Sequence, residues 1–238
     1  MGEDDCYRCS HSSTAGDIGA NRGLGYATAK QLGSTGRYRL LIGARTQEKA
    51  EEAIKKLGNS SNNFAPVILD LNSDVSIKAA AAFIQERFGS LDILVNNGGI
   101  NRSSDPNATL HTFFPLLRAS KYSDRRIVNV TSGLGQIGIA YSSNSEYSVK
   151  VWELPAYRSS KTALNMINAA NAVRLQKENI LSIVVCPGYC QKDFGGRRGA
   201  KSAEEGAQPI VCAATKGSPE ELSGMDVEDE GYFVEFGW

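Results

Sequence analysis

Residues 15–32 read AGDIGANRGLGYATAKQL, which sets Gly19, Gly23 and Gly25 ahead of a run with helical spacing. A glycine turn between a buried strand and a helix lets backbone approach a phosphate, which then sits on the first N–H groups of the helix. The strand entering such a turn is normally a continuous run of Val, Ile and Leu. Here the chain before Gly19 reads CYRCSHSSTAGDI. Roughly four missing aliphatic side chains would forfeit about 6–12 kcal/mol, at about 1.5–3 kcal/mol each. That is comparable with the whole stability of a domain, about 5–15 kcal/mol. The sequence therefore predicts that residues 5–18 pair poorly or not at all. Residues 1–18 read as an atypical polar N-terminal segment and residues 19–238 as the folded domain.

Downstream of Arg37 short apolar runs alternate with amphipathic helices. YRLLIGA (38–44), APVILDL (65–71), LDILV (91–95), RIVNV (126–130), ILSIVV (180–185) and YFVEF (232–236) read as strands. Thr46 is placed to cap a helix whose stripe is Ala50, Ala53, Ile54 and Leu57, ending at Gly58. Ser73 precedes a second stripe of Ile77, Ala80, Ala81, Ile84 and Phe88, closed by Gly89. A long helix is expected from about Pro155 to Gln176, and another from the capping box Ser202-Ala203-Glu204-Glu205. Strands that are apolar throughout and alternate with helices indicate α/β architecture: a doubly wound, Rossmann-like parallel sheet in a single domain, its first central strand degraded.

Composition narrows the function. The chain has 238 residues, 26 basic and 26 acidic, so its zero formal charge offers no electrostatic case for nucleic acid or an anionic membrane. No apolar run is long enough to span a bilayer, and the acidic, polar start is unlike a secretory or mitochondrial leader. A cytoplasmic enzyme is expected. Five cysteines argue against a disulfide framework, and Cys186 and Cys212 lie in apolar runs as core thiols. Cys6 and Cys9 with His11 make half a zinc pattern, but His111 is the only other histidine, so no metal site is expected.

Two constellations carry chemistry. Arg22 lies in the glycine turn and Arg45 ends the second strand, where an acidic residue would otherwise hold an adenosine ribose. Two guanidinium groups there suit a 2′-phosphate, hence NADP(H), or they are simply solvated surface arginines. Tyr157 and Lys161 stand one helical turn apart, so an ammonium next to the phenol would favour phenolate and draw its pKa down. Chance supplies Tyr-x-x-x-Lys often. Thr131-Ser132 at the end of the RIVNV strand adds weight, because Ser132 could hydrogen-bond the oxygen that exchanges a proton with Tyr157.

With these residues in place the chain resembles the short-chain dehydrogenases/reductases from Gly19 to Trp238. GANRGLG looks like the family's cofactor turn, Asp70-Leu71 its adenine contact, and NNGG (96–99) its Asn-Asn-Ala-Gly motif. NVTSGLG resembles the catalytic-serine strand, AYRSSKTALN the active-site helix, and CPGY (186–189) the loop beside the nicotinamide. The tail is similar to the NADPH-dependent carbonyl-reductase-like branch. The resemblance implies reduction of a ketone or aldehyde, or the reverse oxidation, with Ser132 as oxygen anchor, Tyr157 as proton donor, and Lys161 holding the ribose. It further implies NADP(H) contacts from Gly19, Arg22, Gly23, Leu24, Gly25, Arg45, Asp70, Leu71, Asn97, Gly98, Tyr157, Lys161, Pro187 and Gly188. Its partner would be a small-molecule carbonyl or alcohol.

The chain departs from that pattern in three places. The strand before the glycine turn is expected to be absent. The segment between NNGG and RIVNV passes almost directly to FFPLL, the last turn of a shortened helix, with no counterpart of the family's catalytic Asn and with homo-oligomerisation left in doubt. Lys192 stands where the family has a Thr beside the nicotinamide. Three outcomes stay open: an active reductase, a protein that binds cofactor without turnover, and the unstable product of an incomplete coding sequence. A hydrolase is excluded by the lack of a Gly-x-Ser-x-Gly elbow.

Overall fold

The structure, a computed structural model, describes residues 13–58, 63–98, 106–191, 199–222, 225–227 and 233–235. Its strands are β1 (Ser13–Ile18), β2 (Tyr38–Ala44), β3 (Phe64–Ile68), β4 (Ile93–Asn96), β5 (Arg125–Val130), β6 (Ile180–Val185), β7 (Met225–Val227) and β8 (Phe233–Glu235). Between them run α1 (Gly23–Ser34), α2 (Gln47–Leu57), α3 (Asp74–Phe88), α4 (Pro106–Ala119), a 3-10 turn (Gly133–Gly135), α5 (Ile137–Ala140), α6 (Pro155–Gln176) and α7 (Ala203–Thr215). The order across the sheet is β3-β2-β1-β4-β5-β6-β7-β8, parallel except for β8. This is the doubly wound arrangement, in which ligands bind outside the carboxyl ends of the strands, where the strand order reverses between β1 and β4.

The sheet corrects the expectation for the N-terminal segment. β1 is a central strand, paired along all six residues with β2 and over Ala15–Ile18 with β4. Parallel pairing is made by backbone N–H and C=O groups, so it does not need aliphatic side chains on the strand itself. Neighbours supply the missing volume and polar closure. Leu91 covers Gly16, where an added Cβ would sit 3.3 Å from the Leu91 side chain. The Thr14 N–H donates to Asp92 Oδ2 at 2.6 Å, and the Asp92 N–H donates back to Thr14 O at 2.9 Å. With this pairing the chain has its central strand.

Alternation along the strands divides the core into two layers. Ala15, Leu40, Ile42, Ile93, Val95, Val128 and Ile183 pack on one face with Leu24 and Leu32 of α1 and Ile210 of α7. Leu41, Val67, Leu94 and Ile127 pack on the other with Ile77 and Ile84 of α3 and Phe113 and Leu117 of α4. α4 is itself a correction, because it runs for 14 residues through Pro115 rather than a last turn only. The expected caps form: Thr46 accepts from Lys49 N–H, Ser73 from Ser76 N–H, and Ser202 with Glu205 closes a capping box. β7 is an addition to the expected strands, and Phe233–Glu235, within YFVEF, form the antiparallel edge strand β8.

Arg126, fully buried in β5, ties the sheet to the end of α7. It donates to Asp124 and to the carbonyls of Ala213, Lys216 and Gly217. Among the described residues no helix is long and apolar enough to cross a membrane.

β1 also carries a cost. Asp17 is buried, neither carboxylate oxygen has a hydrogen-bond partner among the described residues, and burial pushes its carboxyl well above the usual carboxylate range. The folded chain keeps Asp17 protonated while the unfolded chain ionises it above about pH 4. Its contribution to stability is therefore fully present below that pH and is lost as pH rises. Asp17→Val should stabilise the protein by about 1–3 kcal/mol at neutral pH, raising the melting temperature by roughly 2–4 °C per kcal/mol. Thermal melts at pH 5 and pH 8 check this: the gain should be larger at pH 8, and no gain there would contradict it.

Candidate active site

Two groups of residues meet at the carboxyl edge of the sheet. The first is the turn between β1 and α1. Gly19 has φ +88° and Gly23 φ +55°, both in the left-handed region that glycine tolerates. A Cβ at Gly25 would lie 2.4 Å from Gly19 O and 2.6 Å from Asn97 Nδ2, so α1 starts pressed against the turn and the end of β4. A Cβ at Gly23 would meet nothing within 4 Å among the described residues, which leaves the space ahead of the first turn of α1 open to them. Arg22 caps the helix without a side-chain hydrogen bond to it. An open helix N-terminus behind a close glycine contact is the cradle a dinucleotide pyrophosphate requires, so these residues fit the group.

The other expected cofactor residues surround that cradle to differing degrees. Gly98 packs against Gly19, whose Cβ would lie 3.2 Å from Gly98 Cα. Arg22 and Arg45 are exposed. The Asp70 carboxylate is held below its usual range first by the Asn72 backbone N–H, then by the Asn72 side chain, with Arg45 adding a smaller effect. The ends of β2 and β3 thus bring Arg45 and Asp70 close. Leu24 is a buried core side chain, so only its backbone can face the turn, and Leu71 is partly buried against the α3–α4 layer. Pro187 and Gly188 (φ +73°) turn the chain after β6, with Cys190 Sγ donating to Pro187 O at 3.0 Å.

The second group is Ser132, Tyr157 and Lys161. Ser132 follows β5 and accepts from Leu134 N–H as it starts the 3-10 turn, while α6 carries Tyr157 and Lys161. Ser132 acts on the Tyr157 phenol as a hydrogen-bonding neighbour. The Lys161 ammonium donates to Val130 O at 2.8 Å and lies 5.8 Å from the centroid of the Tyr157 ring. Burial pushes the Tyr157 phenol up, and Ser132 pulls it part of the way back. The expectation that Lys161 draws this pKa down is not met here: burial decides it, and the phenol is protonated at neutral pH.

What holds α6 in place was not foreseen. Thr131 Oγ1 donates to Asn165 Oδ1 at 2.5 Å, and Thr162 Oγ1 and Asn165 Nδ2 both donate to Gly135 O. Asn96 Nδ2 donates to Asn129 Oδ1, and Asn129 Nδ2 to Asn168 Oδ1, each at 2.8 Å. Ser182 Oγ also donates to Asn168 Oδ1 at 2.8 Å. Asn165, Asn168 and Asn171 are all buried, and their spacing of three along a helix was the signal available in the sequence. A Cβ at Gly135 would lie 2.8 Å from Lys161 backbone, which shows how closely the turn after Ser132 rides on α6. A shallow groove lined by Ala172, Gln176, Asn179 and Pro219 lies at the opposite edge, where β6 begins.

Lys192, Asn101 and Cys6, Cys9 and His11 lie outside the described residues, and Asn107 lies in α4. Among the described residues no cluster of three or more His, Cys, Asp or Glu could hold a metal ion.

Comparison with known proteins follows this geometry. A family model described as short chain dehydrogenase matches residues 15–203. A relative from Penicillium roqueforti, short-chain dehydrogenase anuI, is 63% identical over 92% of this chain and 95% of its own. Mouse carbonyl reductase (NADPH) 1 is 25% identical over 89% of this chain and 94% of its own. Among solved structures, NADPH-bound carbonyl reductase from chicken fatty liver superposes with a TM-score of 0.79 at 24% identity, over 95% of both chains.

Removing the Ser132 hydroxyl should leave only burial and, to a smaller degree, Cys186 acting on Tyr157, both of which push its phenol up. Ser132→Ala is expected to move the Tyr157 titration further up, read by NMR of ring-labelled tyrosine across alkaline pH. An unchanged or lower titration would show that the two hydroxyls do not pair.

Proposed function

The chain belongs to the short chain dehydrogenase family, and on that premise we propose that it is an NADPH-dependent oxidoreductase that reduces a ketone or aldehyde, or oxidises the corresponding alcohol. The observation that carries this reading is the action of Ser132 on the Tyr157 phenol, with Lys161 one turn along α6, at the sheet edge that also holds the open glycine turn. Gly19, Gly23, Leu24 and Gly25 would take the pyrophosphate on their backbone, and Arg22 and Arg45 the adenosine 2′-phosphate. Asp70 and Leu71 would border the adenine, Asn97 and Gly98 the adjoining ribose, and Pro187 and Gly188 the nicotinamide. When bound, the nicotinamide supplies or takes up the hydride. NADP rather than NAD is supported by the two arginines and by the NADPH named for the mouse and chicken carbonyl reductases.

The chain's own residues handle the proton. Ser132 hydrogen-bonds the carbonyl oxygen, and Tyr157 donates its phenolic proton to that oxygen as negative charge builds on it. A raised phenol pKa keeps the donor protonated throughout the neutral range. Reduction should therefore stay flat from neutral to mildly alkaline pH, whereas alcohol oxidation, which needs the phenolate, should climb with pH. Lys161, one turn along α6, would reach the ribose once cofactor is seated.

Two substitutions test the assignment. Arg45→Asp should weaken NADPH binding strongly and NADH binding little, because an Arg–phosphate contact is charge-assisted; isothermal titration with both cofactors measures this, and equal losses would refute the NADP preference. Tyr157→Phe should cut turnover by about 10²–10⁴-fold while leaving cofactor affinity nearly intact. Steady-state kinetics beside a binding titration reads both, and turnover that survives the change would show that another group donates the proton.

A further inference from the structure

We propose that Asn165 is a positioning residue of the reaction: its amide spans the turn that begins at Ser132 and so fixes the Ser132 hydroxyl against Tyr157 and Lys161 on the same helix. This rests on the reductase reading above and names the residue that holds its oxygen anchor in place.

The turn is closed by its own groups. Gly135 N–H donates to Ser132 O at 2.8 Å, Gln136 N–H to Gly133 O at 3.2 Å, and Leu134 N–H to Ser132 Oγ at 3.3 Å. Bonds of this kind keep the internal shape of a turn but leave it free to tilt as a unit, and a tilt carries the Ser132 hydroxyl with it. The placing of the hydroxyl is therefore decided where the two ends of the turn are tied. Asn165 ties both. Its Oδ1 accepts from Thr131 Oγ1 at 2.5 Å, on the residue before Ser132. Its Nδ2 donates to Gly135 O at 3.3 Å, three residues after Ser132, and Thr162 Oγ1 donates to the same oxygen at 2.9 Å.

The chemistry of the two ties calls for an amide. One needs an acceptor and the other a donor, and a carboxamide carries both on neighbouring atoms. Asn165 is 1% exposed, so a lost tie would leave a polar group buried without its partner. The helix supplies the register. Tyr157, Lys161 and Asn165 follow one another at intervals of four, so they lie along one face of α6. Gly135 brings the turn hard against that face: a Cβ there would lie 2.8 Å from the Lys161 backbone and 3.1 Å from Asn165 Nδ2. The Lys161 ammonium donates to Val130 O at 2.8 Å, on the residue before Thr131. Val130, Thr131 and Gly135 are thus each bonded to this face of α6, and Ser132, between them, acts on the Tyr157 phenol. Asn168, one turn further on, bonds to Asn129 and Ser182 instead, so the role belongs to Asn165 and not to the asparagines of α6 as a set.

The test uses the full chain and begins with a readout independent of turnover. Asn165→Leu keeps the approximate size of the side chain and removes both ties. It should move the Tyr157 titration up, as Ser132→Ala does, read by NMR of ring-labelled tyrosine. Thr131→Val breaks one tie and should move it in the same direction by less. Asn171→Leu alters another buried amide of α6, one whose Nδ2 has no partner among the described residues, and should leave the titration in place. A thermal melt of each variant separates these shifts from misfolding. With NADPH and an aldehyde that the chain reduces, Asn165→Leu should lower kcat by about ten- to hundredfold with NADPH affinity kept. In a Ser132→Ala background the same change should lower kcat no further, because a residue that acts through Ser132 has nothing left to position. Losses that multiply, an unmoved titration in Asn165→Leu, or an equal shift in Asn171→Leu overturn the proposal. Should Asn165→Leu not fold, an unmoved titration in Thr131→Val overturns it. The expected titration shifts in a chain that reduces no aldehyde or ketone would leave the role of Asn165 standing and sink the reductase reading instead.

Discussion

Two ladders of backbone hydrogen bonds on either side of β1 set everything else in this molecule. They place residues 13–18 between β2 and β4, and so deliver Gly19 to the point where the strand order reverses. The glycine turn has meaning only there: Gly25 closes on Gly19 O and Asn97 because β1 and β4 are neighbours. A strand poor in aliphatic side chains can hold this position because its neighbours bring the apolar contacts, with Leu91 over Gly16 and Asp92 bonded to Thr14. Its burden is a carboxyl at Asp17 that must stay protonated inside the fold.

A second constraint governs the chemistry. α6 has to hold Tyr157 within reach of Ser132, which belongs to a different element, and apolar packing alone lets helices slide by fractions of a turn. The directional bonds of Asn165 and Asn168 to Thr131, Gly135, Asn129 and Ser182 remove that freedom. Each is buried, so breaking one would strand a polar group away from water, which is costly. Arg158 extends the same logic outward, from the helix to the segment that joins β5 to α6.

Burial also sets the protonation states. The raised phenol of Tyr157 and the raised carboxyl of Asp17 share a cause, loss of solvent around the charged form. At Tyr157 the neighbouring Ser132 hydroxyl offsets part of that penalty, and the protonated phenol suits the proton donation proposed for it. At Asp17 no partner is present among the described residues and the group is only a load on stability.

The sequence by itself determined the alternation of apolar strands and amphipathic helices, the caps at Thr46, Ser73 and Ser202, the glycine turn, and the placing of Ser132 just after a strand and of Tyr157 and Lys161 one turn apart on a helix. Those signals are local: they depend on periodicity and on residues a few positions apart. Tertiary structure alone decided that residues 13–18 form the central strand, because ladder bonds use backbone groups that every residue carries and leave no mark in side-chain polarity. It also decided that burial rather than Lys161 governs the Tyr157 proton, that three asparagines on α6 face the sheet, and that Trp152 meets Tyr189 across two loops. Each of these depends on which distant segments the sheet brings side by side, and the spacing of residues along the chain does not encode that distance.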